Sequence, residues 1–154
     1  MGSNTPKPYR DFEERVFKHW KDLTFLIESL VEDGKTIICY GAGTMGNVLL
    51  QFCGLGPQHI RYIAEVNEDK FGSYTPGTNI PIISEAEAKV LRPDYFLVLP
   101  WHFMHSILQR EAEFMQRGGK FIFPLPEIEI IPLENNFMVN GTAAKSFIIA
   151  FNFL

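Results

Sequence analysis

Three glycines spaced as Gly41-x-Gly43-x-x-Gly46 are the residues whose spacing points most directly to chemistry. They follow the β-branched apolar run 36–40, which predicts a buried strand, and precede the apolar stretch 47–52, which predicts a helix. In such a turn the first glycine permits a tight bend, the second admits a ligand to the backbone, and the third lets helix and strand pack closely. The helix N-terminus offers free amides to an anion. The pattern predicts a site for NAD, S-adenosylmethionine or another nucleotide, with an ordinary tight turn as the alternative.

Polar side chains also follow the other predicted strands. Glu65 lies near the end of the second strand, 19 residues after Gly46, where a carboxylate can accept ribose hydroxyls. Trp101 and His102 follow the unalternating strand 95–99 and could stack on a base and bond a phosphate; capping the core and capping the next helix are the alternatives. Ligands of open α/β sheets bind at the carboxyl ends of strands. The predicted ligand-binding set is Gly41, Gly43, Gly46, Asn47, Glu65, Asn67, Lys70, Pro76, Gly77, Thr78, Trp101 and His102.

Other catalytic chemistries find little support. His102 and His105 are three residues apart and could share a helical face, but the spacing offers no third metal ligand. The chain has no GxSxG motif and no Ser-His-Asp arrangement. Glu127 and Glu129, in a proline-rich segment, are predicted to be surface charges. We therefore predict no catalytic residue and no metal site.

Composition excludes several classes of protein. The 154 residues carry 14 Lys+Arg against 18 Asp+Glu, a net charge of −4 that argues against a general nucleic-acid binder. An apolar content of 46% with 14% aromatic residues argues against disorder and for one domain with a real core. Cys39 and Cys53 are predicted to be small core residues of a reducing compartment. The chain has no run of 18 apolar residues and no signal-peptide pattern, so a cytoplasmic protein without membrane contact is expected.

A long amphipathic helix is predicted over residues 9–33 and ends at Gly34. Its apolar stripe is best explained by core packing, and a homodimer or interdomain seam is the alternative. The stripe consists of Phe12, Val16, Trp20, Leu23, Ile27 and Leu30.

Strands and helices alternate after this helix. Strands are predicted at 36–40, 60–66, 80–83, 95–99 and 120–123. Helices are predicted between them, one opening on a capping box formed by Ser84 and Glu87 and another over 105–116. This order predicts an α/β fold, a Rossmann-like three-layer sandwich with a mainly parallel sheet behind a long N-terminal helix. We predict a leader at 1–8, the domain at 9–132, and an extension at 133–154 that forms an extra strand or a hairpin around Asn140-Gly141.

Five blocks of sequence, in order and spacing, resemble one family. They are Gly41–Leu50, Glu65–Gly72, Pro76–Ile82, Arg92–Phe103 and Gly118–Glu127. Together they resemble the C-terminal domain of nucleotide-sugar C-methyltransferases, which methylate a carbon of a keto-deoxysugar carried on a nucleoside diphosphate. The resemblance runs from about Phe12 to Glu127. Full enzymes of that family have a zinc module, a middle domain that binds S-adenosylmethionine and supplies the catalytic base, and a Rossmann-like C-terminal domain that closes over the nucleotide sugar.

The resemblance implies a domain that positions a nucleotide sugar while another domain or chain transfers the methyl group. It implies no cofactor for this domain itself and S-adenosylmethionine in the middle domain. Met45 stands where the family usually has lysine, and His102 where it often has Asn, so contacts from these side chains differ. Two alternatives stay open. One is a stand-alone protein that binds NAD or S-adenosylmethionine through the glycine turn, and the other is an interaction module without a ligand.

Overall fold

The computed structural model describes residues 6–41 and 43–132, together with the backbone of strand residues 138–139 and 142–143. The helices are α1 (Lys7–Glu32), α2 (Thr44–Phe52), α3 (Glu85–Val90), α4 (Met104–Arg110) and α5 (Ala112–Gln116). Short 3₁₀ helices cover Glu68–Lys70 and Trp101–Phe103. The strands are β1 (Ile37–Tyr40), β2 (Ile63–Glu65), β3 (Ile82–Ser84), β4 (Tyr95–Val98), β5 (Lys120–Phe123), β6 (Glu129–Ile131), β7 (Met138–Val139) and β8 (Thr142–Ala143).

Six strands form one sheet in the order β3-β2-β1-β4-β5-β6. The first five are parallel and β6 runs antiparallel to β5. Cys39 lies opposite both Ile63 of β2 and Leu97 of β4, so β1 is the centre from which the order reverses. This reversal between β1 and β4 opens a crevice at the carboxyl edge of the sheet. The predicted mainly parallel α/β fold is confirmed.

Helices cover both faces of this sheet. Leu26 of α1 and Leu50 of α2 belong to one buried cluster, together with Cys39 and Leu97 from the sheet. Ala88 of α3 and Leu108 of α4 belong to a second cluster on the opposite face. Both faces of β1 and β4 are therefore buried, which explains why their sequences show no apolar–polar alternation.

Helix α1 extends two residues further toward the N-terminus than predicted; it begins directly after Pro6 and carries Pro8 in its first turn. Proline is favoured in the first helical turn because the amide it lacks has no partner there. Only the second half of the predicted stripe reaches the core, since Leu23, Ile27 and Leu30 are buried whereas Phe12 remains 56% exposed. Core packing thus explains half of the stripe and leaves its beginning uncovered by the described residues.

The helices on the second face have well-defined ends. The predicted capping box is confirmed, because Ser84 Oγ accepts from the Glu87 amide at 3.1 Å and Glu87 Oε2 accepts from the Ser84 amide at 3.3 Å. The helix predicted over 105–116 is interrupted at Glu111, whose φ of −105° separates α4 from α5. Glu111 is buried despite its charge, and its partners, described below, hold the chain there.

Two predicted features lie at the chain ends. Residues 1–5 of the predicted leader, and residues 133–137, 140–141 and 144–154 of the extension, lie outside the described residues. β7 and β8 pair antiparallel as a separate two-stranded sheet. Strand β6 was not predicted, and it places Glu129 at the sheet edge, where burial and the nearby charge of Glu127 raise the pKa of the Glu129 carboxyl. In the described part of the chain, no helix has the length and apolar character needed to cross a membrane.

Candidate functional site

The glycine turn joins the end of β1 to the start of α2, and each of its glycines meets a different constraint. Gly41 has a φ of +88°, and a Cβ there would lie 2.8 Å from Pro100 Cδ, so only glycine fits the bend. Gly43 is the N-cap of α2, and a Cβ there would stand in open space. A Cβ on Gly46 would lie 2.7 Å from Leu99 Cβ, so this glycine sets how closely α2 packs on the sheet. Ala42 lies outside the described residues.

The first turn of α2 presents backbone amides beside this bend. The Asn47 amide donates to the Gly43 carbonyl at 3.0 Å, which leaves the amides before it for another acceptor. Asn47 itself is half-buried, and its Oδ1 has no hydrogen-bond partner among the described residues. An open N-terminal turn next to Gly43 matches the geometry expected for an anion site.

A cleft of about 350 Å³ lies at the carboxyl ends of β1, β2 and β4, on the face covered by α3 and α4. Its wall contains both a glycine of the turn and a carboxylate from the end of β2. Its lining residues are Tyr40, Gly41, Ala64, Glu65, Val66, Glu85, Pro100, Phe103, Ser106, Ile107 and Arg110. The cleft therefore occupies the crevice at which open α/β sheets bind ligands, next to the reversal of strand order.

A larger groove of about 600 Å³ lies elsewhere on the same face. Asp94 and Gly119, which line it, immediately precede β4 and β5. The groove thus sits at the amino ends of these strands, the edge that ligands of parallel sheets do not use. The smaller cleft is the better candidate on position.

Glu65 is placed at the cleft as the sequence predicts. Its Oε1 accepts a hydrogen bond from the Asn67 amide at 3.2 Å. Asn67 Oδ1 in turn accepts from the Asp69 amide at 3.1 Å and so caps the 3₁₀ helix that contains Lys70. Asn67 and Lys70 do not line the cleft; they belong to the loop that fixes Glu65.

The turn of Pro76, Gly77 and Thr78 packs against α2 and does not line the cleft. Gln51 Nε2 donates to the Pro76 carbonyl at 2.7 Å, and a Cβ on Gly77 would lie 2.5 Å from the same nitrogen. The Thr78 hydroxyl is buried in a short hydrogen bond with the Thr75 hydroxyl. These contacts tie the β2–β3 connection to α2.

Trp101 and His102 lie beside the cleft in the 3₁₀ helix that follows β4. Trp101 is half-buried against the second core cluster, and its ring centroid is 4.7 Å from that of the exposed His102. Their neighbours Pro100 and Phe103 line the cleft, and the Phe103 side chain is 63% exposed. The predicted residues Trp101 and His102 therefore lie next to the cleft, while Phe103 supplies its aromatic wall.

No group of three or more His, Cys, Asp or Glu side chains suited to a metal ion is found within the described residues. His102 and His105 are both exposed. Cys39 and Cys53 are free thiols, and burial raises the pKa of each. A hydrogen bond with Thr24 opposes this effect at Cys53.

An ionic network between the cleft and the larger groove was missed from the sequence; Glu85 lines the cleft, Lys89 and Glu111 line the groove, and Arg110 lines both. Arg110 Nη2 lies 3.6 Å from Glu85 Oε1, and its Nε lies 3.3 Å from Glu111 Oε1. Lys89 Nζ lies 2.9 Å from the same Glu111 oxygen, to which the Tyr40 hydroxyl also donates at 3.3 Å. Partial burial raises the pKa of Glu85; Lys89 opposes the shift, while Glu111 and Glu65 add to it. The four-residue spacing of Glu85 and Lys89 was the one signal available in the sequence.

Residues 1–126 match the family described as the C-methyltransferase C-terminal domain. The chain is 40% identical over 127 residues to the C-methyltransferase NovU of Streptomyces niveus, an alignment that covers 82% of this chain and 30% of that protein. The chain thus spans less than a third of the length of the curated relative that it matches.

Proposed function

This chain belongs to the C-methyltransferase C-terminal domain family, and from that premise we propose that it binds a nucleotide sugar and positions it for methyl transfer. The observation that carries the proposal is the continuity between the glycine turn and the cleft at the carboxyl edge. Gly41 belongs to both, so one extended ligand can reach from the N-terminus of α2 into the cleft. A diphosphate with a nucleoside on one side has that extended form.

Each part of the ligand has a matching surface. The diphosphate lies at the open amides of α2 beside Gly43, where the helix dipole favours negative charge. Glu65 accepts ribose hydroxyls. The base enters the cleft between Val66 and Phe103, whose exposed apolar surfaces suit a flat ring. A volume of about 350 Å³ accommodates a nucleoside and leaves the sugar outside, accessible to the rest of the enzyme.

Positioning is the catalytic contribution of this domain under the proposal. Holding a substrate in a reactive geometry lowers a barrier by up to roughly 7–11 kcal/mol in ideal cases. S-adenosylmethionine and the base that activates the sugar carbon belong to another domain or chain of the enzyme. This chain alone is therefore expected not to methylate a nucleotide sugar.

A thermal-shift panel tests the proposal on the purified chain. UDP-glucose, dTDP-glucose, NAD and S-adenosylmethionine are each added at about 1 mM. Ligand at about 100 times its Kd adds roughly 2.7 kcal/mol, which raises the Tm by several degrees in a domain of this size. Shifts with the nucleotide sugars support the proposal. A shift with NAD or S-adenosylmethionine alone overturns it in favour of a stand-alone enzyme, and no shift overturns autonomous binding.

A second candidate function rests on the uncovered apolar surface of α1 and α2. Phe12 and Phe17 of α1 and Met45, Val48 and Phe52 of α2 are all more than half exposed. Such a surface suits contact with another domain or a second copy of the chain. Sedimentation equilibrium between about 1 and 100 µM tests the second copy, because a constant monomer mass across that range excludes a homodimer.

A further inference from the structure

A buried carboxylate holds the arginine that lines the cleft. Glu111 is 4% exposed and is surrounded by Lys89 Nζ at 2.9 Å, Arg110 Nε at 3.3 Å and the Tyr40 hydroxyl at 3.3 Å. A buried carboxyl group is costly unless it is paired and hydrogen-bonded, and these three partners hold the Glu111 side chain in one position. Glu111 in turn fixes the edge of Arg110 that carries Nε.

Two further contacts hold the Arg110 guanidinium. Its Nη2 lies 3.6 Å from Glu85 Oε1, and its central carbon lies 5.4 Å from the centre of the Tyr40 ring. Stacking on a ring and pairing through a rigid fork are properties of arginine that lysine lacks. The side chain is nevertheless 56% exposed, and both Arg110 and Glu85 line the cleft. A fixed donor and a fixed acceptor thus stand side by side where a ligand enters.

We infer that Arg110 and Glu85 read the hydrogen-bonding edge of the nucleobase, and that Glu111 is the positioning residue for Arg110. The inference rests on the proposed function, which places the phosphates at α2 and the ribose at Glu65. The base then extends toward α3 and α4, where this pair stands. Every nucleobase carries donors and acceptors along its edge, and their order differs from base to base. A donor and an acceptor in fixed positions therefore favour some bases over others.

Isothermal titration with pyrophosphate, UDP, dTDP, ADP and GDP tests the inference on the whole chain. We expect the wild-type protein to bind the four nucleotides with different affinities. In Arg110→Gln the affinity for the preferred nucleotide should fall about tenfold or more, while the affinity for pyrophosphate stays the same. The four nucleotides should therefore differ less in affinity than they do in the wild-type protein. Arg110→Lys keeps the charge but loses the forked guanidinium group, and is expected not to restore the differences in affinity among the nucleotides. Glu111→Gln is expected to reduce these differences, as Arg110→Gln does.

Arg117→Gln is the matched control. Arg117 is an exposed arginine of the same face that pairs with Glu113 and lies outside the cleft, so its loss changes net charge equally without touching the base. Equal losses for pyrophosphate and nucleotides in Arg110→Gln would assign Arg110 to the phosphates and overturn the inference. If the four nucleotides differ in affinity as much in Arg110→Gln as in the wild-type protein, the network has only a structural role and the inference is wrong. Absence of nucleotide binding by the wild-type protein would instead refute the proposed function itself.

Discussion

Gly46→Ala adds one Cβ at the closest approach of α2 to the sheet. That atom would lie 2.7 Å from Leu99 Cβ and 2.8 Å from Leu99 Cδ1, well inside ordinary contact. Rotation of the Leu99 side chain relieves the second contact but not the first, because a Cβ moves only with its backbone. Helix α2 must therefore shift away from the end of β4 by several tenths of an ångström.

The size of the effect follows from two opposing contributions. Overpacking of this kind costs about 1–3 kcal/mol, and a clash with a Cβ belongs in the upper half of that range. Alanine is the better helix former and returns about 1 kcal/mol. The net loss is about 1–2 kcal/mol, equivalent to a Tm about 2–8 °C lower in a domain of this size.

Thermal unfolding followed by circular dichroism measures this difference. Gly43→Ser is the matched control, since it adds a Cβ in the same turn in open space and places a favoured N-cap residue on α2. The control is expected to melt within about 1 °C of the wild-type protein or above it. A Gly46→Ala variant that melts as high as the control would refute the close-packing role assigned to the third glycine.

Three further predictions concern the site. Gly43→Val should fold, because its Cβ meets no atom and the φ of −80° suits any residue, yet it should abolish nucleotide-sugar binding in calorimetry; unchanged affinity would remove the turn from the site. Burial raises the folded-state pKa of Glu85 above its ordinary 4.5, so its stabilising contribution is complete below pH 4.5 and is lost as pH rises through the raised pKa. Between pH 4 and pH 7, the Tm of the wild-type protein should therefore fall relative to the Tm of Glu85→Gln. The same difference between the two Tm values at both pH values would contradict this sign. Trp101 packs against the second core cluster and does not line the cleft, so Trp101→Ala is expected to lower the Tm and leave nucleotide-sugar affinity unchanged in calorimetry; a loss of about 1–3 kcal/mol in binding would instead assign the ring to the base, as the sequence predicts.

Local sequence patterns predicted the parallel part of the fold well. The strand at Lys120–Phe123 was predicted with its observed bounds, and the box formed by Ser84 and Glu87 marked the start of α3. Both depend on neighbours in the chain, which a sequence displays directly. Strand β6 at Glu129–Ile131 was missed because its pairing partner in β5 determines it, and its proline-rich surroundings suggest a loop.

The residues of the candidate site show the same contrast between features set by chain neighbours and features set by tertiary contacts. Gly41 and Glu65 are recognisable because a known spacing links them to strand ends, and both line the cleft. Glu85 lies in α3, Arg110 ends α4, and Glu111 is the break that follows it. Strand β4 separates α3 from α4 in the chain, so the contact between these residues depends on how the two helices cross the sheet. No periodicity in one sequence encodes that crossing, so an ionic network of this kind becomes visible only in three dimensions.

Helix α1 is buried only along its second half, so its first half should unfold locally more readily. None of residues 7–18 is buried, whereas Leu23, Leu26, Ile27 and Leu30 anchor the second half. An isolated helix of about a dozen residues is marginal in water, so the first half depends on propagation from the anchored half. Amide hydrogen exchange should consequently slow from Glu13 toward Ile27 within one continuous helix. Because a partner on the exposed aromatic residues would remove this gradient, the exchange rate at the start of α1 reports whether that surface is covered.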